Sequence, residues 1–195
     1  MGLNLGMKKK LYGVSQTDKG ELKSTYFGEV KNGRPHGKGT ERLDNGDKYT
    51  GEFSDGVYHG KGTYTYSTGE KYVGYWKNKK FHGHGTFKWA NGNKYVGEHR
   101  NDEMSGKGTL TCPNDFKYVG EFKNQNKHGK GKEIKANGDE YDGEWENDLP
   151  HGYGIRKFKD GRKWEGTWKK GQMVGEGTIY IPINIKKSTC SLPKI

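Results

Sequence analysis

A single 23-residue period runs through most of the chain and limits what it can fold into. A tyrosine or tryptophan followed two residues later by glycine marks each unit. The marking residues are Tyr26, Tyr49, Tyr72, Tyr95, Tyr118, Tyr141 and Trp164. A second signature, such as His59-Gly60-Lys61-Gly62, begins ten residues after each of them. A fixed period without insertions predicts an array of identical supersecondary units, each packing on its neighbours.

Each unit has the residue alternation of a β-hairpin. Tyr49, Gly51 and Phe53 fall on one face of the predicted strand, and the intervening residues are polar. The second half of the unit alternates in the same way, and Asn45-Gly46 then marks a tight turn before the next unit. We therefore predict an all-β fold, an elongated repeat array of antiparallel β-hairpins in which seven units form a single twisted sheet. Fourteen strands would make it roughly 65 Å long.

The repeated glycines predict how the array is held together. With Gly51 on the same face as Tyr49, an aromatic ring can lie against bare backbone. We predict a column of tyrosines along one sheet face. The fifth unit departs from the pattern because Ile134 lies between Glu133 and Lys135, and this predicts a bulged or reversed second strand.

The period also sets the predicted domain boundaries. Residues 26–181 form the seven-repeat array. Residues 1–25 form an N-terminal segment with a degenerate half repeat that acts as a cap, and residues 182–195 form a C-terminal cap or tail. Arrays of this kind need such caps because their end units lack a neighbour on one side.

Composition narrows the class of protein further. Hydrophobic residues make up only 28% of the chain and the net charge is +11, values typical of disordered chains. However, 13 Tyr, 7 Phe and 5 Trp argue for a folded chain with an aromatic core. No apolar run has the length of a membrane span, no signal sequence is recognisable, and two cysteines cannot form a disulfide framework. We expect a cytoplasmic protein, free or at a membrane or cytoskeletal structure.

The sequence argues against an enzyme. Five histidines share one repeat position, and equivalent positions in stacked hairpins are about 10 Å apart, too far for ligands of one zinc ion. The Gly-Lys-Gly-Thr run at 37–40 lacks the glycine spacing of a phosphate loop. The recurring glutamates are repeated too often to mark one active site. We expect no catalytic residues, no cofactor and no metal, and we do not expect nucleic-acid binding.

Two sets of residues are candidates for binding. Large aromatics that we expect to be exposed could anchor a partner protein, because Trp and Tyr dominate binding hot spots. They are Tyr66, Trp76, Trp89, Trp145 and Trp168. Lysines that precede the marking aromatic form either a solvated face or a strip for an anionic membrane. They are Lys48, Lys71, Lys94, Lys117 and Lys163.

The unit at residues 49–62, Tyr-Thr-Gly-Glu-Phe followed by Gly-Val-Tyr-His-Gly-Lys-Gly, resembles the MORN repeat, the membrane occupation and recognition nexus. The resemblance implies an antiparallel β array with a groove, and roles in scaffolding, homodimerisation and binding of protein segments or acidic phospholipids. We therefore predict a non-catalytic scaffold that binds a protein segment, or itself, along an aromatic groove. The alternative is a peripheral membrane adaptor that binds acidic phospholipids or phosphoinositides through its lysines.

Overall fold

The computed structural model describes residues 24–182, and all of its regular structure is β-strand. The strands are β1 (Ser24–Lys31), β2 (Arg34–Leu43), β3 (Lys48–Ser54), β4 (Val57–Thr65), β5 (Lys71–Lys77), β6 (Lys80–Lys88), β7 (Lys94–Arg100), β8 (Glu103–Thr111), β9 (Lys117–Lys123), β10 (Asn126–Ile134), β11 (Glu140–Glu146), β12 (Leu149–Lys157), β13 (Lys163–Lys169) and β14 (Gln172–Tyr180). They form one 14-stranded antiparallel sheet in sequence order. The predicted fold class is confirmed.

The predicted cap and tail lie almost entirely outside the described residues. Of the segment 1–25, only Ser24 and Thr25 are described, and both belong to β1. Of the segment 182–195, only Pro182 is described.

Each repeat is a hairpin closed by a two-residue turn that the sequence motifs did not reveal. In the first repeat Asn32 and Gly33 have φ values of 51° and 76°. Two successive residues with positive φ are typical of a type I′ turn, whose twist matches that of the flanking strands. The Asn-Gly dipeptides recognised in the sequence instead lie between repeats, as at Gly46, where φ is 90°.

The His-Gly-x-Gly signature forms a β-bulge. Gly62 pairs with Gly51, but the next pair is His59 with Glu52, so Gly60 and Lys61 are extra residues on β4. The bulge frees the N–H group of Lys61, which donates to Oε1 of Glu52 at 3.3 Å. The same bond joins a glutamate to the N–H nine residues later in four other repeats. These pairs are Glu29 with Lys38, Glu98 with Lys107, Glu121 with Lys130, and Glu144 with Tyr153.

The repeated tyrosine covers the paired glycines, as the sequence predicts. Tyr49 has no exposed surface, and its Oη donates to the carbonyl oxygen of Glu52 at 2.8 Å. A Cβ atom on Gly62 would lie 2.3 Å from that Oη, and one on Gly51 would lie 2.6 Å from it. Only glycine leaves room for the ring at these two positions.

From the second repeat onwards, a second ring joins successive marking aromatics into one continuous stack. Trp76 makes edge-to-face contacts with Tyr72 of its own repeat and Tyr49 of the previous one, each with centroids 5.2 Å apart. Phe53, His99, Phe122, Trp145 and Trp168 occupy the equivalent position. The core of the molecule is therefore a row of alternating rings on one side of the sheet.

The two sides of the sheet differ in character. We call the side with the buried rings, represented by Tyr49 and Phe53, the aromatic face. The opposite side, represented by Thr50 and Thr63, is the threonine face. For the fifth repeat the sequence predicts a bulged or reversed second strand, and β10 is bulged between His128 and Gly131 like the second strands of the other repeats. The reversal is wrong, because β10 keeps the common register around Ile134. Glu133 is buried on the aromatic face at 4% exposure, and Ile134 points to the threonine face.

Candidate functional site

Three of the five predicted anchor residues are not exposed. Trp76, Trp145 and Trp168 are 5%, 3% and 2% exposed. Each fills the ring position between the marking aromatics of two repeats, and its Nε1 donates to the carbonyl oxygen of a glycine in the previous repeat. The expectation that they project from the sheet is wrong for all three, because they form the core on which the repeats stack.

The other two predicted anchors, Tyr66 and Trp89, are half-buried and belong to a continuous row of rings. Their neighbours in that row are Tyr64 and Phe87, also half-buried. The ring centroids lie 4.6 Å apart for Tyr64 and Tyr66, 6.1 Å for Tyr66 and Phe87, and 4.8 Å for Phe87 and Trp89. We call these four residues the aromatic row.

The row is held in place by the core beneath it. Tyr64 donates from its Oη to Oδ2 of the buried Asp47 at 2.7 Å, and Oδ1 of Asp47 accepts from the N–H of Ser67 at 2.8 Å. Burial and the Asp47 carboxylate raise the pKa of Tyr64, so the phenol remains a donor. Phe87 packs against the buried Phe81. Sequence reasoning missed Tyr64 and Phe87 as site residues, although the alternation of β4 and β6 places them on the same face as Tyr66 and Trp89.

The aromatic row is followed along the sheet by a charged region in repeats five and six. The positions equivalent to Tyr64 and Phe87 hold Glu133 and Arg156, which pair in register with Tyr141 from either side. A cavity of about 580 Å³ opens beside them, and its lining includes Lys127, Lys135 and Asp139. The aromatic face thus has an apolar part and an ionic part.

Four of the five predicted lysines lie along one line on the threonine face. Lys48, Lys71, Lys94 and Lys117 occupy the same position in alternate strands. Further cations lie between them, since Lys88 pairs in register with both Lys71 and Lys94. We call Lys48, Lys71, Lys88, Lys94 and Lys117 the basic line.

Lys163 is set apart from the basic line. Ile134 and Glu140 occupy the intervening positions on β10 and β11. Its Nζ lies 2.7 Å from Oε2 of Glu165 and 4.6 Å from the centroid of the Tyr180 ring. Its charge is therefore already partnered.

The described residues offer no arrangement suited to a metal ion. Within residues 24–182, no group of three or more His, Cys, Asp or Glu side chains comes together with the geometry to bind one. His36 instead lies 3.8 Å from Asp55, and His151 lies 3.3 Å from Glu146. The same part of the chain contains no helix with the length and apolar character needed to span a bilayer.

The repeat geometry agrees with a comparison to known families. The family model for the MORN repeat matches seven segments, at residues 26–48, 49–71, 72–94, 95–115, 118–140, 141–161 and 164–184. The chain belongs to the MORN-repeat family. Each matched segment begins at the buried tyrosine or tryptophan, so a MORN unit corresponds to one hairpin and the turn that follows it.

Solved structures similar to the MORN array include two domains of this kind. One is the TCP domain of Drosophila melanogaster SAS-4 in complex with a proline-rich motif of Ana2, with 13% identity, coverage of 75% of this chain and 85% of that chain, and a TM-score of 0.43. Another is the TCP10 domain of Danio rerio CPAP, with 13% identity, coverage of 67% and 62%, and a TM-score of 0.41. A search of curated proteins gives no significant match to the MORN chain.

Proposed function

We propose that this MORN array is a non-catalytic scaffold that binds a segment of a partner protein along its aromatic face. The observation that carries the proposal is the aromatic row. Tyr64, Tyr66, Phe87 and Trp89 form a contiguous apolar surface, and no other layer covers them within residues 24–182. Contiguous exposed apolar surface marks interaction sites in soluble proteins.

The row also has the properties of a binding hot spot. Tyr and Trp give a large contact area for a small loss of side-chain entropy, and both retain a polar group that orients the partner. Because Tyr64 is fixed by Asp47 and Phe87 by Phe81, little further ordering is needed on binding. The scaffold would act in the cytoplasm, free or at a membrane or cytoskeletal structure.

Selection from a random peptide display library on the purified chain tests this proposal. We expect recovered peptides to lose at least about 10-fold in affinity on Tyr66→Ala or Trp89→Ala, as is usual for a hot-spot ring. Tyr75→Ala is the matched control, because Tyr75 is 45% exposed but lies on the threonine face. The proposal fails if no peptide binds, or if binding is insensitive to both changes in the row.

A second candidate function is docking to an anionic membrane through the basic line, and one observation favours it. Lys71, Lys88 and Lys94 face one another directly across β5, β6 and β7. Like charges placed opposite each other destabilise a sheet, so a functional gain would offset that cost. Each lysine near an anionic bilayer contributes about 1 kcal/mol of binding free energy.

Vesicle flotation distinguishes the membrane function from the scaffold function. With phosphoinositide-containing vesicles at low salt, we expect the chain to float and to release as the salt concentration rises. Lys94→Glu with Lys117→Glu should abolish flotation. The control is the double variant Lys135→Glu with Lys159→Glu, which changes the net charge by the same amount at positions away from the basic line. Failure of the wild-type chain to float at low salt excludes this candidate.

Self-association is part of the scaffold proposal. The last strand, β14, carries the exposed apolar residues Met173, Ile179 and Tyr180 at one edge of the described sheet. An open edge with apolar side chains can pair with another strand. Light scattering over a concentration series should show a rise in mass from monomer to dimer, and a constant monomer mass would exclude it.

A further inference from the structure

The aromatic face changes in chemistry where the fourth repeat meets the fifth. On the aromatic face, β8 carries Met104 and Leu110. The equivalent positions one repeat later, in β10, hold Lys127 and Glu133. Arg156 follows in β12. We call Lys127, Glu133, Asp139 and Arg156 the ionic segment.

The buried charges of the ionic segment are paired with one another. Lys127 forms an ion pair with Glu133, and its Nζ lies 4.1 Å from the centroid of the Trp145 ring. Arg156 donates from Nη2 to Oδ2 of Asp139 at 3.1 Å. Glu133 and Asp139 are 4% and 8% exposed, so the two carboxylates are largely withdrawn from solvent.

The exposed charge that follows the ends of β10 and β12 is positive, whereas the exposed Asp148 lies at the turn between β11 and β12. Lys135 and Lys159 flank the ionic segment and are exposed, and neither makes an ion pair within residues 24–182. Lys135 also lines the cavity of about 580 Å³ beside the buried pairs. The cavity can therefore admit side chains, and the side of it that Lys135 lines favours acidic ones.

We propose that the partner segment has two parts, an apolar part that covers the aromatic row and an acidic part that lies over the ionic segment. This inference rests on the scaffold function proposed above. Trp89 follows β6 and Lys135 follows β10, so the two sites are four strand spacings apart, about 19 Å. An extended partner would separate its apolar and acidic residues by about 6 positions, and a helical partner by about 13.

The charge distribution also favours a separate molecule over the termini of this chain. Residues 1–23 and 183–195 together contain eight lysines, and their acidic residues are Asp18 and Glu21. Neither segment holds a cluster of acids that could match Lys135 and Lys159. The occupant is therefore a partner protein with an acidic stretch, which also fixes the direction in which it lies on the sheet.

Peptides recovered by display on the full chain provide the test. We expect selected 20-residue peptides to carry aromatic or aliphatic residues on one side and clustered Asp or Glu on the other, at one of the two separations. Fluorescence polarisation with the best peptide should show about 10-fold weaker binding to Lys135→Glu with Lys159→Glu, as expected when two exposed ion pairs become like-charge contacts. Lys94→Glu with Lys117→Glu should change it less than about twofold, because that pair lies on the threonine face.

The outcomes separate this inference from the scaffold function. Peptides that depend on Trp89 but lack clustered acids, or that bind the Lys135/Lys159 variant normally, overturn the two-part partner and leave the scaffold function intact. Peptides that depend on neither Tyr66 nor Trp89, or the recovery of none, overturn both. Exchanging the apolar and acidic ends of the best peptide should also weaken binding, and equal affinity of the two orders contradicts a fixed direction.

Discussion

At the scale of single residues, His99 stands out as a break in a chain of apolar rings. It lies between Tyr72 and Tyr95, with centroids 5.1 Å from each, where the first repeat has Val30 and the other repeats have Phe or Trp. It is 4% exposed, and its Nδ1 has no hydrogen-bond partner among residues 24–182. Burial lowers its pKa from 6.5 to about 4, because it outweighs the backbone of Gly97 and the charge of Asp102, which both raise the pKa, and His84 lowers it slightly further. The aromatic core thus contains a neutral imidazole near its centre.

We predict that His99 makes the array less stable in mild acid. Above pH 6.5 the imidazole is neutral in both states, so it contributes no pH dependence. As the pH falls from 6.5 to 4, the unfolded chain binds a proton that the folded chain does not, and the free energy of unfolding decreases by up to about 3 kcal/mol. Urea unfolding of wild type and His99→Phe between pH 7.5 and 4.5 measures this. Parallel pH profiles for the two proteins would contradict the prediction.

Tyr95 tests the role of the tyrosine column. Tyr95→Ala removes a ring with no exposed surface, and we expect a loss of roughly 3–5 kcal/mol in the free energy of unfolding. Tyr95→Phe keeps the ring but removes the hydrogen bond from Oη to the carbonyl oxygen of Glu98, so we expect a loss of about 1 kcal/mol. Urea unfolding checks both. An alanine variant within about 1 kcal/mol of wild type would show that the column does not carry the core.

The sequence predicts which residues share a face of the sheet better than which of them remain exposed. The step from Tyr49 to Gly51 shows that a ring covers glycine, because residues two apart share a face of a strand. The same alternation puts Trp76 and Tyr66 on one face, but it does not predict how deeply each side chain is buried. Trp76 is buried because Tyr49 of another repeat packs against it, and Tyr66 is half-buried because it follows the end of β4. Only the three-dimensional stacking of repeats shows that Trp76 is buried and Tyr66 is half-buried.

At the scale of elements, each hairpin combines a tight turn, a bulge and a bond to the next hairpin. Turn residues bond to the preceding repeat, as when the N–H of Asp102 donates to the carbonyl oxygen of Phe81 at 3.1 Å. Some turns contain a non-glycine residue in the left-handed region at their second position, including Lys79 at φ 64° and Gln125 at φ 69°. A side chain there is unfavourable by about 1–2 kcal/mol. Replacing such a residue with glycine should therefore raise the free energy of unfolding.

We predict that Gln125→Gly stabilises the array by about 0.5–1 kcal/mol, after the larger chain entropy of glycine in the unfolded state is taken into account. Gln125 is exposed, and it uses its backbone N–H, which glycine retains, to bond the carbonyl oxygen of Met104. Asp148 has the same conformation at φ 66°, but its Oδ1 accepts from the N–H of Lys127 at 2.8 Å. Asp148→Gly should therefore give a smaller gain or a loss. Thermal unfolding compares the two, and equal shifts would contradict this account.

At the scale of the whole molecule, the array is one-dimensional. Within residues 24–182, every strand pairs only with its neighbours in sequence, and the edge-to-face stack links each repeat to the next. The ionic part of the aromatic face shows where the sequence does not determine the outcome. The period fixes the position of Glu133, but the pairing of Glu133 with Lys127 depends on how the bulge within β10 aligns the two ends of that strand. Regular features are predictable because they repeat, and departures from the repeat are not.

Removing one whole repeat should leave a folded array. Deletion of residues 95–117 joins Lys94 directly to Tyr118, so Lys94 takes the place of Lys117 before that tyrosine. The deletion also brings Phe122 into contact with Tyr72 in place of His99. We expect a β-type circular dichroism spectrum and a cooperative thermal transition. Deletion of residues 72–94 removes an equal length but keeps His99, so this control should be the less stable of the two at pH 5. Loss of folding in both would show that contacts beyond neighbouring repeats are essential.

The pairing of neighbours alone also determines how the chain can form during its synthesis. The residues of the most widely separated pair in strand register, Ser24 and Leu43, are only ~19 positions apart. A new hairpin can therefore close as soon as a short length of chain leaves the ribosome, and each hairpin finds the rings of the previous one already in place. Assembly then proceeds from the first repeat to the last at the pace of translation, and no strand waits for a partner from the far end of the sequence.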